Sequence, residues 1–368
     1  MPTVLLSGYY GFNNLGDEAV LGGLLAGLRA AAPTVRPVVL SGDVGATERL
    51  HAVEAIPRMG LGAIRASLRE ADLFISGGGS LLQDVTSARS PLYYLGLLWL
   101  AQRAGVPTMA LAQGMGPLRH PLNRLLARRI LNQTRAITVR DDASEAFLAS
   151  LGVDQPPIEV TADPAFLLEP DDSERLALWW EGHIPAGRPV IGVALRRWDA
   201  ANSVARYHAI SDALAALAVE TGALLLFIPM QFNEDMRVAL EISAWTPAEN
   251  VVFDLELTPR EMLALVARCA MIVAMRLHAL IFATRQGVPA FGLAYDPKVL
   301  DFALAAGLPT PARWEELEAN TLADILRQAW EARDTQRAII ADCAAILREK
   351  AQWNITRVLD VLGEQAGA

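Results

Sequence analysis

Cysteine is scarce in this sequence. Of its 368 residues only Cys269 and Cys343 carry thiols, and neither has a second Cys or a His at metal-ligand spacing. A disulfide framework and a cysteine-based zinc site are therefore excluded as the basis of the fold. Each cysteine lies among apolar residues, so we expect both thiols to be buried and inert, as suits a reducing compartment.

Long apolar runs are also lacking. The longest, Leu92–Ala101, is too short to span a bilayer as a helix. The segment Met1–Leu6 has no basic residue and is soon interrupted by Gly8, so it does not have the pattern of a signal peptide. We therefore expect a soluble protein in the cytoplasm.

Positively charged residues are fewer than negatively charged ones. The sequence has 32 Lys and Arg against 41 Asp and Glu, which gives a net charge of -9. A chain this acidic binds nucleic acid poorly unless its basic residues cluster, so we expect no nucleic-acid partner. One group of arginines predicts the solvated face of a helix, with a basic membrane-surface patch as the alternative: Arg124, Arg128, Arg129 and Arg135.

Apolar residues, by contrast, are plentiful. They make up 52% of the chain, and its length favours two domains, each with a sizeable core. Short apolar strands alternate with helical patterns, which is typical of an α/β fold. The stretch Glu169–Pro189 is rich in Pro, Gly and charge, and we place the domain boundary there. We predict a first domain over 1–170, a second over 188–334, and a C-terminal helix over 335–368 that crosses back to the first domain.

The first predicted strand, Thr3–Ser7, runs into a glycine-rich turn and then a helix. The glycines of Gly8–Gly16 are not spaced as in the GxGxxG pattern of dinucleotide-binding proteins. Asn14 and Asp17 lie at this strand end. They are either helix caps or ligand contacts, and both roles can hold at once.

Glycine and charged residues also follow later predicted strands in the first half of the sequence. Gly78 and Gly79 belong to a run of three glycines, which either the close approach of a ligand or close helix packing would justify. Arg140 follows another predicted strand and Asp163 a third, although Asp163 also begins an ordinary Asp-Pro turn. Because the carboxyl ends of parallel strands meet at one edge of a sheet, these residues predict a binding edge.

The stretch Met271–Lys298 carries the richest chemistry. An apolar strand is followed by Arg276, Leu277 and His278 at a helix start, and a second short strand ends near Lys298. A guanidinium, an imidazole and an ammonium together suit an anionic substrate and proton transfer. The plainer alternative is that His278 is an ordinary core-facing histidine and Arg276 caps the sheet edge. No cluster of Asp, Glu and His suggests a metal ion.

Seven blocks of this sequence resemble, in order, those of the polysaccharide pyruvyl transferase family, and in particular its bacterial cell-surface-anchoring type. The blocks are SGYYGFNNLGDE at Ser7–Glu18, SGGGSLLQD at Ser76–Asp84, AQGMGP at Ala112–Pro117, TVRD at Thr138–Asp141, TADPA at Thr161–Ala165, MRLHA at Met275–Ala279 and DPK at Asp296–Lys298. No single block is diagnostic, but the ordered set is specific and spans nearly the whole chain.

This resemblance implies two Rossmann-like domains facing each other across a cleft, as in type B glycosyltransferases. It implies phosphoenolpyruvate as the donor substrate, with no cofactor and no metal. The implied reaction transfers pyruvate to an N-acetylmannosamine residue of a cell-wall polymer precursor, forms a ketal and releases phosphate. A lipid-linked acceptor would bring the protein into peripheral contact with the inner face of the membrane.

The resemblance also implies roles for individual residues. His278 is expected to be the catalytic acid/base. The donor is expected to be bound in the second domain by Arg276, Leu277 and Lys298. Either Arg196 or Arg197 joins them, and the doubled arginine leaves that choice open. The acceptor side is expected to include six residues of the first domain: Asn14, Asp17, Gly78, Gly79, Arg140 and Asp163.

Two other functions fit parts of the same pattern. A nucleotide-sugar-dependent glycosyltransferase would have the same architecture, and its diphosphate would also require Arg and Lys in the second domain. A base- or ribose-binding Glu after a strand would favour this alternative, and Glu256 and Glu261 are the candidates. A non-catalytic sugar-phosphate binding protein would need the cations without the acid/base.

Overall fold

The computed structural model describes residues 1–84, 87, 89–198 and 202–366. The chain forms two compact units, the first comprising Met1–Leu168 with Leu347–Ala368 and the second Glu169–Ile346. Each unit has its own parallel β-sheet with helices connecting the strands, which confirms the predicted α/β class. None of the helices in the described ranges combines the length and apolar character that crossing a membrane requires.

The first unit contains a seven-stranded sheet with the order β3-β2-β1-β4-β5-β6-β7. Its strands are β1 (Thr3–Ser7), β2 (Arg36–Ser41), β3 (Glu54–Pro57), β4 (Leu73–Gly77), β5 (Thr108–Gln113), β6 (Ala136–Val139) and β7 (Ile158–Val160). Its helices are α1 (Leu15–Ala31), α2 (Val44–His51), α3 (Leu61–Glu70), α4 (Ser90–Arg103), α5 (Pro121–Leu131) and α6 (Asp142–Leu151). The strand order reverses between β1 and β4, and in such sheets ligands bind beyond the carboxyl ends of the strands at that point.

Two hydrophobic clusters cover the two faces of this sheet. Because successive side chains of a strand point to opposite faces, Phe74 joins one cluster and its neighbour Ile75 the other. The Phe74 cluster contains buried residues of α3, α4, α5 and α6, whereas the Ile75 cluster contains those of α1 and the C-terminal helix. Burial on both faces explains why strands such as β1 read as continuous apolar runs.

The C-terminal helix α14 (Arg333–Ala366) contributes to the first unit from Leu347 onward. Its Asn354 is fully buried and accepts hydrogen bonds from the Thr138 hydroxyl at 2.6 Å and the Thr161 hydroxyl at 2.9 Å. The Asn354 amide donates to the Ala162 carbonyl at 2.9 Å. The predicted return of this helix to the first domain is confirmed, and one amide ties it to β6 and to the segment after β7.

The second unit contains a six-stranded sheet with the order β10-β9-β8-β11-β12-β13. Its strands are β8 (Val190–Ala194), β9 (Leu224–Phe227), β10 (Asn250–Val252), β11 (Met271–Ala274), β12 (Ala290–Ala294) and β13 (Ala312–Arg313). Its helices are α7 (Glu174–His183), α8 (Ser203–Thr221), α9 (Phe232–Trp245), α10 (Pro259–Ala267), α11 (Leu277–Arg285), α12 (Pro297–Ala305) and α13 (Ala319–Glu331). Here the strand order reverses between β8 and β11.

The two thiols differ from each other. Cys269 is buried, and burial raises the pKa of its thiol to about 12. Cys343 is only partly buried, since it lies on α14 near Gly307 rather than within the core. The expectation of two buried thiols is therefore wrong for Cys343.

Candidate active site

Backbone pairing brings two arginines to the carboxyl edge of the second unit. Ala194 at the end of β8 and Ala274 at the end of β11 are register partners, and the Met275 amide donates to the Ala194 carbonyl at 2.9 Å. Arg196 and Arg276 each follow these partners by two residues. Both guanidinium groups therefore flank the point where the strand order reverses.

A buried carboxylate orients Arg276. Asp235 on α9 is 1% exposed, and it accepts hydrogen bonds from Nε of Arg276 at 2.9 Å and from its Nη2. The same carboxylate accepts the amides of Met230 and Gln231 at 3.1 and 2.9 Å. The two-point contact fixes the guanidinium plane.

Arg196 contacts an aromatic residue that follows β12. Its Nη1 donates to the Tyr295 hydroxyl at 3.0 Å, and the guanidinium carbon lies 5.1 Å from the Tyr295 ring centre. Burial lowers the pKa of Arg196, but Tyr295 and the charge of Asp235 raise it, and the net pKa is above its ordinary value. Tyr207 holds the backbone here, because its hydroxyl donates to the Arg196 carbonyl and accepts the Trp198 amide.

Arg197 extends in a different direction from Arg196. It forms an ion pair with Glu241 at 3.1 Å, and both side chains are largely exposed, by 58% and 41%. An exposed pair of this kind contributes little to stability. The structure thus brings Arg196, and not Arg197, to Tyr295.

Lys298 completes the group of cations. It lies at the start of α12, where Asp296 caps the helix by accepting the Lys298 amide at 3.1 Å. Its Nζ lies 3.5 Å from the other carboxylate oxygen of Asp296 and 5.9 Å from the Tyr295 ring centre. Tyr295 therefore contacts Arg196 on one side and lies near the ammonium of Lys298.

His278 is the second residue of α11, and Arg276 is its N-cap residue. The imidazole is half-buried, with its centre 6.4 Å from that of Phe282 one turn later. Leu277 is 7% exposed and belongs to the core, so its side chain anchors the helix start. The first-turn amides of a helix attract anions, so α11 adds a partial positive charge beside His278 and Arg276.

In the first unit, Asn14 acts as a helix cap. Its side-chain oxygen accepts the Gly16 amide at 3.1 Å at the start of α1. Asp17 lies in the first turn of the same helix, with Oδ1 2.7 Å from the position that a Cβ on Gly79 would occupy. Asp17 is therefore in direct contact with the glycine run after β4.

The glycines of that run are explained by packing. Gly78 and Gly79 have φ values of +66° and +70°, in the left-handed region. A Cβ on Gly78 would lie 2.0 Å from Cγ1 of Val20 on α1. Close helix packing, one of the two alternatives that the sequence allowed, is present at Gly78, whereas Gly79 borders a carboxylate.

Arg140 and Asp163 meet at the carboxyl edge of the first unit. Nη1 of Arg140 lies 3.6 Å from Asp163 Oδ2, and Nη2 donates to the Ser80 hydroxyl at 2.9 Å. Asp141 lies 3.6 Å from Nε of the same arginine. Both Arg140 and Asp163 are nearly buried, with side chains 7% and 3% exposed. This edge is therefore polar, and the carboxylates of Asp141 and Asp163 flank Arg140.

Two interactions that the sequence did not predict hold the loop after β1. Glu18 is buried, and one of its carboxylate oxygens accepts a hydrogen bond from the Gly11 amide at 2.8 Å. Its other oxygen forms a hydrogen bond with His51 Nε2 at 2.9 Å. The Tyr10 hydroxyl donates to the Gly77 carbonyl at 2.9 Å. Burial, together with Asp17 and Glu18, raises the pKa of Tyr10 well above its ordinary value, so its hydroxyl stays a donor.

Asp235, Tyr295 and Asn354 are further site-shaping residues that sequence patterns did not single out. The carboxylate of Asp235 pairs with Arg276, 41 residues away in the sequence. Among the described residues, no group of three or more His, Cys, Asp or Glu side chains is arranged to hold a metal ion.

Comparisons with known proteins agree with this description. Residues 14–297 match the family model described as polysaccharide pyruvyl transferase. The amylovoran biosynthesis protein AmsJ of Erwinia amylovora is 23% identical over 264 residues, which cover 67% of this chain and 62% of that protein. The present chain thus spans less than two thirds of that relative.

Solved structures show the same fold. The UDP-GlcNAc 2-epimerase of Methanocaldococcus jannaschii, in complex with UDP-GlcNAc and UDP, matches with a TM-score of 0.67 at 11% identity and covers 98% of this chain and 99% of its own. HepE of Anabaena, in complex with UDP, matches with a TM-score of 0.61 at 15% identity and covers 99% and 100%. At these identities the likeness shows the type B glycosyltransferase fold alone.

The family match extends from Asn14 through the cations after β11 and β12 as far as Pro297, which is well over half of the chain. It includes Arg196, Arg276 and His278, and it ends beside Lys298. The chain therefore belongs to the polysaccharide pyruvyl transferase family.

Proposed function

We propose that this transferase takes phosphoenolpyruvate as its donor and joins pyruvate, as a ketal, to an N-acetylmannosamine residue of a cell-wall polymer precursor. The observation that carries the proposal is the gathering of Arg196, Arg276, Lys298 and His278 at the carboxyl ends of β8, β11 and β12. In this proposal the acceptor is lipid-linked, and the reaction takes place in the cytoplasm at the inner face of the membrane.

The cations suit a small donor that carries two anionic groups. Phosphoenolpyruvate has a carboxylate and a phosphate on the same carbon, and Arg grips either group through two parallel hydrogen bonds. Arg196 and Lys298 share Tyr295, whereas Asp235 orients Arg276. These two subsets provide separate binding points for the two anions. Arg196, rather than Arg197, is the arginine of this proposal, because Arg197 pairs with Glu241 at the surface.

His278 is the proposed acid/base. Ketal formation begins when a proton is delivered to the methylene carbon of phosphoenolpyruvate and a sugar hydroxyl adds at C2, losing its own proton. A second hydroxyl of the same sugar then bonds to C2 and loses its proton. Phosphate is displaced from C2 and leaves with the electron pair of the broken C–O bond. An imidazole can both give and take these protons. The guanidinium groups stabilise the phosphate as it leaves.

The acceptor sugar is proposed to contact the first unit. Asp17, Arg140 and Asp163 lie around Gly79 and Ser80 and offer hydrogen-bond donors and acceptors of both signs. A neutral polyhydroxy ligand such as N-acetylmannosamine needs such a mixture, with bonds to individual hydroxyls. The likeness to a protein of amylovoran biosynthesis supports a saccharide acceptor.

The test is a transfer assay with purified protein. Phosphoenolpyruvate is incubated with a panel of saccharides that includes lipid-linked N-acetylmannosamine precursors, and inorganic phosphate and product mass are followed. We expect phosphate release that depends on the N-acetylmannosamine acceptor, with one pyruvate ketal added per acceptor. Phosphate release without any change in acceptor mass would contradict the proposal, as would the absence of transfer to every saccharide in the panel.

A nucleotide-sugar-dependent glycosyltransferase is the second candidate, because the structural neighbours include proteins in complex with UDP or UDP-GlcNAc. Its suggested ribose-binding residue Glu261 already caps α10 and pairs with Arg175. Thermal melting separates the candidates. We expect phosphoenolpyruvate to raise the melting temperature and UDP sugars to leave it unchanged, and the opposite pattern would favour the glycosyltransferase.

A further inference from the structure

One stretch of the first unit has a charge opposite in sign to that of the whole protein. From Arg58 to Arg135 the sequence has ten Arg and no Lys, against three acidic residues (Glu70, Asp72 and Asp84), which leaves +7, whereas the whole chain is at -9. This stretch contains α3, α4 and α5, which cover the same sheet face. Six of the ten arginines lie on these three helices.

The outer surface of α4 is apolar where a soluble helix is normally polar. Leu92, Gly96, Trp99 and Arg103 follow one another at intervals of four, three and four residues, so they share one face of the helix. Leu92 is 37% exposed and Trp99 is 52% exposed, whereas the opposite face is buried in the core. A Cβ on Gly96 would meet nothing within 4 Å, so this face is open.

The neighbouring helix α5 continues this surface. Leu122 is 49% exposed and Leu125 is 62% exposed, and Arg128 and Arg129 lie exposed one turn further on. The two helices pack against each other and share one core cluster. We define the α4–α5 face as six exposed side chains: Leu92, Trp99, Leu122, Leu125, Arg128 and Arg129.

Nothing acidic neutralises this face from within its own helices, since neither α4 nor α5 contains Asp or Glu. Neither Arg128 nor Arg129 forms an ion pair with any residue that the structure describes. In the second unit, by contrast, the exposed Arg197 pairs with Glu241. The combination of unpaired arginines with exposed Leu and Trp is typical of a helix that lies in the interface of an anionic bilayer.

We propose that the α4–α5 face docks on a bilayer surface that contains anionic lipid. The leucines and Trp99 enter the headgroup boundary, while Arg128 and Arg129 contact lipid phosphates. A second copy of this chain is disfavoured as the occupant, because two such faces would oppose like charges.

Docking on this face would bring the bilayer close to the proposed acceptor side. In a right-handed β-α-β unit, a helix begins at the carboxyl edge of the sheet. Leu92, Leu122 and Leu125 lie in the N-terminal halves of α4 and α5, and so near the edge where Arg140 and Asp163 meet. A lipid-linked saccharide would then need only a short reach. Lipid binding itself is independent of the proposed reaction.

The test is flotation of the purified full chain with vesicles, in the absence of phosphoenolpyruvate and saccharides. One set of vesicles is phosphatidylcholine alone, and the other contains phosphatidylglycerol as well. We expect binding only to the second set, and a decrease in binding as salt is raised. Two double variants remove the charges (Arg128→Gln with Arg129→Gln) or the apolar groups (Leu122→Ser with Leu125→Ser).

The matched control lies on α9, where Arg237 and the 56%-exposed Leu240 are surface residues beside Glu234 and Glu241. We expect Arg128→Gln with Arg129→Gln to weaken vesicle binding about 30-fold, the effect of two arginines near an anionic surface. The Leu122→Ser with Leu125→Ser variant should also bind more weakly, whereas Arg237→Gln with Leu240→Ser should change binding less than about twofold.

Several results would overturn the proposal. They are equal binding to both vesicle sets, no binding to either, and double variants that bind like the control variant. A change in oligomer mass in the Leu122→Ser with Leu125→Ser variant, without a change in vesicle binding, would assign the face to a second copy instead. Unchanged thermal melting of the variants verifies folding. Because the assay contains no donor and no acceptor, failure of the proposed reaction would leave its result unaltered.

Discussion

The two units have the same kind of sheet but different charged side chains at its carboxyl edge. In the second unit, Arg196, Arg276 and Lys298 follow three strands, and Asp235 and Asp296 hold two of them in place. In the first unit, Arg140 has carboxylates on two sides, Asp141 and Asp163. The comparison teaches that the residues just after the strands, and not the topology, determine which ligand each edge can take.

This difference matches a division of labour between donor and acceptor. A doubly negative donor requires an excess of fixed cations, whereas a neutral sugar requires donors and acceptors in balance. Variants that exchange or remove these groups should affect the two substrates separately.

The largest effect is expected at His278. His278→Gln keeps a polar side chain of similar size but cannot transfer a proton near neutral pH, so we expect kcat to fall by about 1,000-fold. The KM for phosphoenolpyruvate should stay within about threefold, because the arginines and Lys298 remain. Steady-state kinetics with the saccharide acceptor measures both kcat and the KM for phosphoenolpyruvate. Turnover at the parental rate would remove His278 from the proposed mechanism.

The next effect distinguishes two neighbouring arginines. Arg196→Gln removes a cation that contacts Tyr295, and we expect the KM for phosphoenolpyruvate to rise about 100-fold. Arg197→Gln removes an exposed partner of Glu241 and should change this KM less than about twofold. The KM for the acceptor is measured for both variants as well. Neither variant should change it, because the acceptor is proposed to contact the first unit. Equal donor defects in the two variants would contradict the assignment of Arg196.

A smaller effect, on stability, is expected in the first unit, which depends on a segment from the end of the chain. Asn354→Leu leaves the hydroxyls of Thr138 and Thr161 and the Ala162 carbonyl without their amide partner, so we expect about 2 kcal/mol less free energy of unfolding. Urea denaturation measures this loss. Thr356→Val on the exposed side of the same helix is the matched control and should cost less than about 0.5 kcal/mol.

The smallest effect concerns Glu261 in the second unit and depends on pH. Burial raises the pKa of this carboxyl, but hydrogen bonds from Arg175, Ser173 and Thr258 lower it to about 2, against an unfolded value of 4.5. Because the folded pKa is depressed, its stabilisation is present above pH 4.5 and is lost as the pH falls towards 2. Glu261→Gln should therefore cost about 1.5 kcal/mol at pH 7.

This cost should shrink steadily below pH 4.5, because the wild-type carboxyl then binds a proton in the unfolded chain while it stays ionised in the folded one. Thermal melting of both proteins across the pH range measures it. A difference that grows on acidification would show that the ion pair with Arg175 is not the source of the stabilisation.

Much of the fold was predictable, because its strands are buried on both faces. Strands such as β6 and β7 are recognisable in the sequence, because each is a short apolar run between turn signals. The start of α10 was predictable from local capping chemistry at Thr258 and Glu261. In contrast, β3 is an edge strand of four residues with two exposed positions, so it has no apolar run to identify it.

The candidate site was predictable only where its residues follow strands. The short stretch Met271–Lys298 contains Arg276, His278 and Lys298, so their proximity follows from the sequence pattern. The contact between Arg196 and Tyr295 joins residues 99 apart, and that between Arg276 and Asp235 joins residues 41 apart. Such contacts depend on strand order, which local periodicity does not contain. The helix after Arg140 is capped by Asp141, whose side chain accepts the Ser144 amide.

The most direct measurement follows the methylene carbon of the donor. Phosphoenolpyruvate labelled with carbon-13 at C3 is incubated with the protein and the N-acetylmannosamine acceptor in deuterated water, and the product is examined by NMR. We predict a ketal methyl group on the saccharide that carries one solvent deuterium, and no such signal with His278→Gln. Label that stays in phosphoenolpyruvate, with a nucleotide sugar consumed instead, would contradict the account.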